Sequence, residues 1–187
     1  QDRSINYDLK IVCFDSENWI GNGYLIPSGP LREKIDSLKK YDIIFLKGEC
    51  FNEEKIFRLI KDQNPEIKVF QTYYEAVNLN KFNVKNDYLI FSGIGNPNNF
   101  RNTLIKNNFN IVDEIIFPDH YEYKQEDIEK IKFTAKKLNA KIITTEKDYV
   151  KLSGKDTDNI DFLEIDLRIK NERDLINFIN PLINEKY

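Results

Sequence analysis

Residues 114–123, which read EIIFPDHYEY, decide the fold of this chain. The apolar residues 115–117 are typical of the end of a buried strand, and Pro118 stops the strand because proline cannot donate a hydrogen bond to a sheet. Asp119 and His120 then lie in the turn before a helix. The stretch predicts a strand–turn–helix unit with two polar residues at the carboxyl end of its strand.

His120 is the single histidine among 187 residues. Ligands of open α/β sheets bind in the crevice beyond the carboxyl ends of the strands, and an imidazole there suits proton transfer near neutral pH. This position favours a catalytic histidine. The alternative is a surface-turn histidine that bonds to a neighbouring carboxylate.

The pattern of strand, turn and helix repeats along the chain. Short apolar runs predict strands at residues 9–15, 42–47, 67–74, 88–92, 110–117, 141–145 and 162–166. Amphipathic or capped segments predict helices at residues 31–40, 52–61, 97–105, 124–138 and 172–183, and a short helix opened by Thr145. Such alternation is typical of βα units. We expect an α/β fold in which a mostly parallel sheet carries helices on both faces.

The first of these runs, residues 9–15 (LKIVCFD), contains five apolar side chains in seven positions. A near-continuous apolar run is typical of a strand that is covered on both faces. Cys13 lies within it, so we expect its thiol to belong to the core and not to a reactive site. Residues 75–86 are polar and irregular, and they are the candidate linker.

Composition excludes several classes of protein. The net charge is −3 with both signs interspersed, which gives no electrostatic footprint of nucleic-acid binding. Two cysteines in a chain of this size make neither a disulfide framework nor a metal cluster. There is no targeting segment and no apolar run of about 18 residues. Because no methionine occurs, even at position 1, we expect a truncated piece of a longer protein.

The loop GNGYLIPSGPLRE at residues 21–33 is the first stretch that could carry chemistry. It leads into the first turn of the predicted helix 31–40, where backbone N–H groups favour anions. Arg32 can donate two hydrogen bonds to a phosphate, and Glu33 offers the hard oxygen ligand that Mg²⁺ prefers. The alternative is an ordinary turn with solvated charges.

Two further turns follow predicted strands. Gly93-Ile94-Gly95 could cradle a phosphate, but Asn98 replaces the third glycine of the dinucleotide fingerprint, and tight strand–helix packing is the alternative explanation. Residues 144–148 (TTEKD) could face a ligand or simply cap a short helix. No GxxxxGK(S/T) segment occurs, so the sequence lacks the usual backbone cradle for nucleotide phosphates.

Four stretches, in this order and spacing, carry a resemblance to a known family. They are GNGYLIPSGPLRE (21–33), FSGIGNPNNF (91–100), FPDHYEY (117–123) and TTEKDYVKL (144–152). Together they resemble tetraacyldisaccharide 4′-kinase, the lipid A kinase of Gram-negative bacteria, over essentially the whole chain. The resemblance covers only the later part of the family. Gln1 resembles the last residue of the family's Asp-Asp-Gly-Phe-Gln motif, and the P-loop belongs to the missing upstream part.

The resemblance implies transfer of the γ-phosphoryl group of ATP to the 4′-hydroxyl of a tetraacylated glucosamine disaccharide 1-phosphate, with Mg²⁺, in lipid A biosynthesis. It implies work at the cytoplasmic face of the inner membrane, with the lipid A precursor, ATP, the membrane surface and the absent N-terminal P-loop lobe as partners. The family's fold is two α/β/α lobes joined by a two-stranded linker. Residues 1–33 then resemble the tail of the P-loop lobe with its substrate and nucleotide loop. Residues 34–187 resemble mainly the second lobe, with the linker around 75–86.

The family's site residues carry over to matching positions of this chain. His120 matches the histidine that, with an aspartate of the first lobe, activates the hydroxyl. Metal binding is expected of Glu33. Substrate or nucleotide binding is expected of Gln1, Asn22, Gly23, Arg32 and Asp119. Without a P-loop, this chain alone is expected to be inactive.

Two other classes of protein stay open. One is a stand-alone α/β module that binds an anionic ligand at the Gly93–Pro97 turn. The other is a non-catalytic partner subunit that has lost its kinase half. A P-loop coding segment directly upstream of Gln1 in the gene would exclude both.

Overall fold

The structure is a computed structural model that describes residues 7–48 and 53–184. The role expected of Gln1 and the start of the helix expected from residue 52 therefore lie outside the described residues. Within the described ranges, every helix is too short or too polar to cross a membrane.

The described residues form strands and helices in alternation. In chain order these are β1 (Ile11–Asp15), β2 (Ile43–Lys47), α1 (Glu53–Gln63), β3 (Lys68–Ala76), β4 (Asp87–Ser92), α2 (Pro97–Lys106), β5 (Asn110–Ile116), α3 (Gln125–Leu138), β6 (Lys141–Thr145), α4 (Glu146–Tyr149), β7 (Ile160–Leu163), β8 (Ile165–Ile169) and α5 (Glu172–Asn184). Short 3-10 helices lie at Ile35–Lys40, Leu79–Lys81 and Gly154–Thr157. The alternation confirms the predicted α/β fold.

Two compact units make up the fold. The first is Gln1–Glu75 with Leu167–Tyr187, and the second is Ala76–Asp166. The chain therefore passes between the units inside β3 and again inside β8, which are neighbours in one sheet. The assignment of residues 1–33 to a P-loop lobe stays a prediction.

The first unit is built on a sheet with the strand order β1-β2-β3-β8, in which β1, β2 and β3 run parallel. Alternate residues of β2 point to opposite faces of this sheet. Ile44 clusters with Ile56 and Ile60 of α1, whereas Ile43 clusters with Leu175 of α5. Helices therefore cover both faces of the sheet.

The second unit has the strand order β5-β4-β6-β7, and every pair in it is parallel. β4 lies inside this sheet and is buried along most of its length. Ile90 of β4 clusters with Leu104 of α2, whereas its neighbours Leu89 and Phe91 cluster with Ile131 of α3. This unit also has helices on both faces of a parallel sheet.

The helix predicted for residues 31–40 is wrong in its first half. The backbone of Leu31 bonds to the preceding loop, and its carbonyl accepts the Ile26 N–H at 2.9 Å. These bonds close the loop on itself, so a helical turn begins only at Ile35 and is of the 3-10 type. Residues 31–34 therefore do not form the helix N-terminus that was predicted at the end of the 21–33 loop.

The strand predicted for residues 162–166 is in fact two strands, β7 and β8, separated by Glu164. The Glu164 N–H donates to Asn78 Oδ1 at 3.0 Å, and its carbonyl accepts the Val77 N–H at 3.0 Å. The backbone N–H and carbonyl of Glu164 are bonded to these two residues and not to a sheet neighbour. The chain therefore leaves the second sheet at Glu164 and joins the first.

β1 is not covered on both faces, contrary to the prediction from its apolar run. It is the end strand of its sheet in the described residues, and its five residues are half-buried or exposed. Cys13 is exposed, so the expectation that its thiol belongs to the core is wrong. The other predicted elements, including the cap at Thr145, are confirmed with end shifts of no more than two residues.

Candidate active site

The strand order of the second unit creates a crevice at the carboxyl ends of its strands. From β4 the chain moves through α2 to β5 on one side, and then through α3 to β6 on the other side of β4. Such a reversal is where open α/β sheets bind ligands. Three segments follow the strands at this edge: the turn 93–96 after β4, the turn 117–124 after β5, and the single helical turn α4 after β6.

The turn after β4 leaves little room for a side chain at its first residue. A Cβ on Gly93 would lie 3.0 Å from the Tyr123 hydroxyl, 3.2 Å from the Pro118 carbonyl and 3.3 Å from Asp148 Oδ1. A Cβ on Gly95 would lie 3.2 Å from Asp119 Oδ2. Both glycines are therefore explained by close packing against the neighbouring turns. Asn96 accepts the Asn99 N–H and caps α2.

Asp148 is a fully buried carboxylate that joins two of these turns. It accepts the Gly93 N–H at 2.9 Å, the Thr145 hydroxyl at 2.8 Å and the Lys151 ammonium at 2.9 Å. Burial alone would raise the pKa of Asp148, but the bonds from Gly93, Lys151 and Thr145 more than offset it and hold the pKa below its usual value. Asp148 is thus an internal anion that fixes the Gly93 turn.

Residues 144–148 do more than cap a helix. Thr145 accepts the Asp148 N–H at 3.1 Å, which confirms the cap. Thr144 is fully buried and donates to the Phe91 carbonyl at 2.8 Å, so its hydroxyl does not face a ligand. The carboxylate of Asp148 and the ammonium of Lys147 reach the neighbouring turns, which was not predicted from the sequence. The sequence did contain one indication of these contacts: residues 93–96, 117–124 and 144–148 all follow predicted strands of one parallel sheet.

The turn after β5 presents His120 to solvent. Its backbone is left-handed, with φ 61°, and its N–H donates to Asp119 Oδ1 at 3.0 Å. The imidazole Nε2 lies 3.8 Å from Asp119 Oδ2, and the side chain is 78% exposed. An imidazole in this position can reach a ligand, and it also has the carboxylate neighbour that the surface-turn interpretation requires.

Asp119 is held by a lysine of the third turn. Lys147 Nζ lies 3.2 Å from Asp119 Oδ1, the same oxygen that accepts the His120 N–H. The Lys147 ammonium holds the pKa of the Asp119 carboxyl below its usual value, with a smaller contribution from His120. The structure therefore brings together Asp119 and His120, for which the sequence predicted individual roles, with Lys147, for which it predicted none beyond membership of the 144–148 stretch.

Aromatic rings pack within and against the turn after β5. Phe117 packs against Tyr121 and Tyr123 with ring centroids 4.8 and 5.1 Å apart. The Tyr121 hydroxyl donates to Asp127 of α3 at 3.1 Å. Burial, followed by the nearby Asp148 charge, raises the pKa of the Tyr123 hydroxyl above its usual range. These contacts fasten the segment that carries His120 to the body of the second unit.

The first unit places Arg32 and Glu33 in a bend that lines a groove of about 270 Å³. Arg32 is exposed and Glu33 is half-buried. Asp15, at the carboxyl end of β1, lines the same groove and forms an ion pair with Lys47 at 2.7 Å. Burial would raise the pKa of Asp15, but Lys47 and the backbone N–H groups of Glu17 and Asn18 together offset it, and the pKa lies below its usual value. The groove thus carries charges of both signs.

Asn22 and Gly23 shape the loop of residues 21–33. The Asn22 side chain donates to the Ser28 carbonyl at 2.8 Å and accepts the Tyr24 N–H at 3.2 Å, so it bridges the two sides of the loop. Gly23 has a left-handed backbone, with φ 77°. A Cβ on Gly29 would overlap Asn22 Oδ1 and the Tyr24 carbonyl, which makes glycine necessary there. The contacts of Asn22 are therefore internal to the loop.

A family model described as Tetraacyldisaccharide-1-P 4′-kinase matches residues 1–184. The chain belongs to this family. Its relatives include the tetraacyldisaccharide 4′-kinase of Pelagibacter ubique (strain HTCC1062), 45% identical over 189 residues that cover 100% of this chain and 59% of the relative. The kinase of Rickettsia bellii (strain OSU 85-389) is 42% identical over 165 residues, covering 88% of this chain and 49% of the relative. The chain thus spans about half the length of the curated relatives it matches.

A solved kinase of the same family has the same fold. The crystal structure of the "apo" form of LpxK from Aquifex aeolicus, in complex with ATP, superimposes with a TM-score of 0.63 at 21% sequence identity. The match covers 96% of this chain and 54% of that protein. Family membership confirms the resemblance carried by the four stretches, whereas the individual roles of the site residues stay predictions.

Proposed function

We propose that this chain is the part of a tetraacyldisaccharide 4′-kinase that carries the acid–base histidine. The kinase would transfer the γ-phosphoryl group of ATP to the 4′-hydroxyl of a tetraacylated glucosamine disaccharide 1-phosphate, the lipid A precursor. Two facts support this: the family match over residues 1–184, and the exposure of His120 at the carboxyl edge of a parallel sheet. The exposure of His120 beside Asp119 is the observation that carries the proposal.

His120 would take up the proton of the attacking hydroxyl. As the hydroxyl oxygen bonds to the γ-phosphorus, its proton passes to an imidazole nitrogen and the bond from the γ-phosphorus to the leaving ADP oxygen breaks. Asp119 lies 3.8 Å from Nε2, where its negative charge would stabilise the imidazolium that forms. Phosphoryl transfer depends mainly on positioning and charge neutralisation, so one well-placed base is a sufficient acid–base contribution from this unit.

Arg32 and Glu33 would bind the nucleotide and its metal. Neither side chain forms a hydrogen bond or ion pair with another described residue, so both can accept external partners. Mg²⁺ is commonly held by one or two carboxylates together with substrate phosphates and water. In the described ranges no three His, Cys, Asp or Glu side chains converge on a metal site, and a single carboxylate at Glu33 fits that mode of binding. Bound Mg²⁺ would neutralise phosphate charge.

We further propose that the kinase works at the cytoplasmic face of the inner membrane. The substrate is a membrane lipid and the phosphoryl donor is ATP, so lipid surface and nucleotide must be reached together. Tyr24 and Ile26 of the 21–33 loop support this because their apolar side chains are 65% and 63% exposed. An upstream P-loop lobe is the remaining partner that the proposal requires.

The rival reading as an anion-binding module at the Gly93–Pro97 turn is disfavoured by the charges there. The Gly93 N–H is already bonded to the Asp148 carboxylate, and Asp119 Oδ2 lies close to Gly95. Two protein carboxylates therefore occupy the places where an anionic ligand would need positive charge.

The test is a phosphotransfer assay on a kinase that contains these residues together with a P-loop segment. We expect Arg32→Ala and Glu33→Ala each to lower turnover about 100-fold, the usual loss when a charge contact in a closed site is removed. Stability should change by less than about 0.5 kcal/mol, because both residues lie in a surface bend. Asp36→Ala, an exposed acid a few residues later, is the matched control and should keep full turnover. Unchanged kinetics together with a lowered melting temperature would return both residues to a structural role.

A further inference from the structure

The two oxygens of the Asp119 carboxylate contact different groups. Oδ1 accepts the His120 N–H at 3.0 Å and lies 3.2 Å from Lys147 Nζ. Oδ2 is left for the imidazole, 3.8 Å from Nε2, and a Cβ at Gly95 would approach it to 3.2 Å. The orientation of this carboxylate therefore determines what the imidazole meets.

His120 has few other means of staying in place. Its side chain is 78% exposed, and Asp119 is the acid with which its ring pairs. Its left-handed backbone is supported by the same carboxylate through the N–H bond. A rotation of the Asp119 side chain would release both the backbone and the ring of His120.

Lys147 is well suited to prevent that rotation because its own helix turn is anchored in the interior. The next residue, Asp148, is fully buried and is bonded to Gly93, Thr145 and Lys151. The backbone of Lys147 is thereby fixed relative to the turn after β4. Its ammonium extends from this fixed base to Asp119 in the turn after β5.

We propose that Lys147 is a positioning residue for the transfer reaction, acting through Asp119 to hold the His120 imidazole ready to take up the hydroxyl proton. This inference rests on the proposed function of His120. The side-chain bond of Lys147 in the described residues is made to Asp119, and through this bond it would act on the imidazole. Its effect is to fix which oxygen of Asp119 faces the ring.

The test uses a kinase that contains this chain and a P-loop segment. Lys147→Met should lower kcat about 10- to 100-fold, a loss typical of small misplacements of a catalytic group, with KM for ATP and lipid changed little. Lys147→Arg keeps a cation within reach and should recover most of kcat. Lys130→Met, an exposed lysine on α3, is the matched control and should behave like the parent. The melting temperature should stay near that of the parent in all three, because exposed ion pairs contribute little to stability.

A double-mutant cycle separates this inference from the proposed function. In a His120→Ala background, Lys147→Met should cause no further loss of kcat, because the group that it positions is gone. Equal losses from Lys147→Met with and without His120 would overturn the positioning role, as would full kcat in Lys147→Met. If His120→Ala itself keeps full kcat, the proposed function of His120 fails, whatever Lys147 does.

Discussion

Asp148 is the residue on which the geometry of the candidate site depends most. Its carboxylate is fully buried and holds the turn after β4, the start of α4 and Lys151 in one network. Removing one partner from a buried, charged hydrogen-bond network leaves its other members unsatisfied. Asp148 therefore connects local chain geometry at Thr145 to the arrangement of the candidate site.

We expect Asp148→Asn to destabilise the chain by about 2 kcal/mol at pH 7, since bonds from charged and backbone donors are lost. The pKa of Asp148 is lowered on folding, so its ionised form contributes stability above its unfolded pKa of about 3.9. That contribution disappears as the pH falls through the still lower folded pKa. Urea unfolding from pH 7 down to about pH 3 should show a smaller acid-induced loss in the Asn variant than in the parent.

Asp158→Asn is the control for this pH measurement, because Asp158 is exposed in the same unit. It should follow the parent at every pH. An Asp148→Asn variant with the parent's stability at pH 7 and an unchanged acid profile would show that the buried carboxylate does not hold the turn.

Sequence reasoning reached part of this site and stopped where distance along the chain became large. The Thr145 cap and the position of His120 follow from local patterns. By contrast, Asp148 bonds to a residue 55 positions away and Lys147 to one 28 positions away. Local sequence patterns do not indicate that these side chains bond to the neighbouring turns and not to solvent. Parallel neighbours in a sheet bring such groups together only after the strand order is known.

At the scale of elements, β1 is a weakly protected end strand of its sheet. It pairs with β2 on one side, and its apolar residues are only partly covered. β4, in contrast, lies between β5 and β6 and is almost fully buried. Exposed apolar edge strands are association hazards, and strands with few buried contacts open most readily.

Hydrogen exchange of the 187-residue chain should show the amides of β1 exchanging faster than those of β4. The physical reason is that opening an end strand breaks one ladder of hydrogen bonds and exposes little new apolar surface. Mass spectrometry of peptides covering the two strands measures the difference directly. Equal protection of both strands would mean that residues 9–15 are integrated into a complete domain.

The elements that sequence patterns predicted wrongly have identifiable causes. Apolar spacing at residues 31–40 suits a helix, but the backbone of Leu31 is taken by the loop that ends there. The apolar run at 162–166 suits one strand, but Asn78 captures the backbone of Glu164. In both cases a non-local or loop hydrogen bond outweighed the short-range sequence pattern. Strands such as β4 were predicted correctly because their apolar residues are also the buried ones.

At the scale of the whole molecule, the proposed roles are divided between the two units. The proposed acid–base pair, His120 with Asp119, belongs to the second unit, and Arg32 with Glu33 belongs to the first. Each unit is an α/β layer structure with its polar groups near the carboxyl ends of parallel strands or in the loops that follow them. This division agrees with a reaction whose chemistry is mainly positioning and charge neutralisation.

The most direct test of this account is the kinetic effect of His120→Ala in a kinase that contains these residues and a P-loop segment. We predict a loss of kcat of about 10²–10⁴-fold, with KM and the melting temperature near those of the parent, because the imidazole acts in the transition state and is largely exposed. His120→Gln should restore only a small part, since an amide cannot take up the proton, and the 187-residue chain assayed alone should give no product. If His120→Ala keeps full kcat and melts much earlier, the imidazole is a structural turn residue and the account is contradicted.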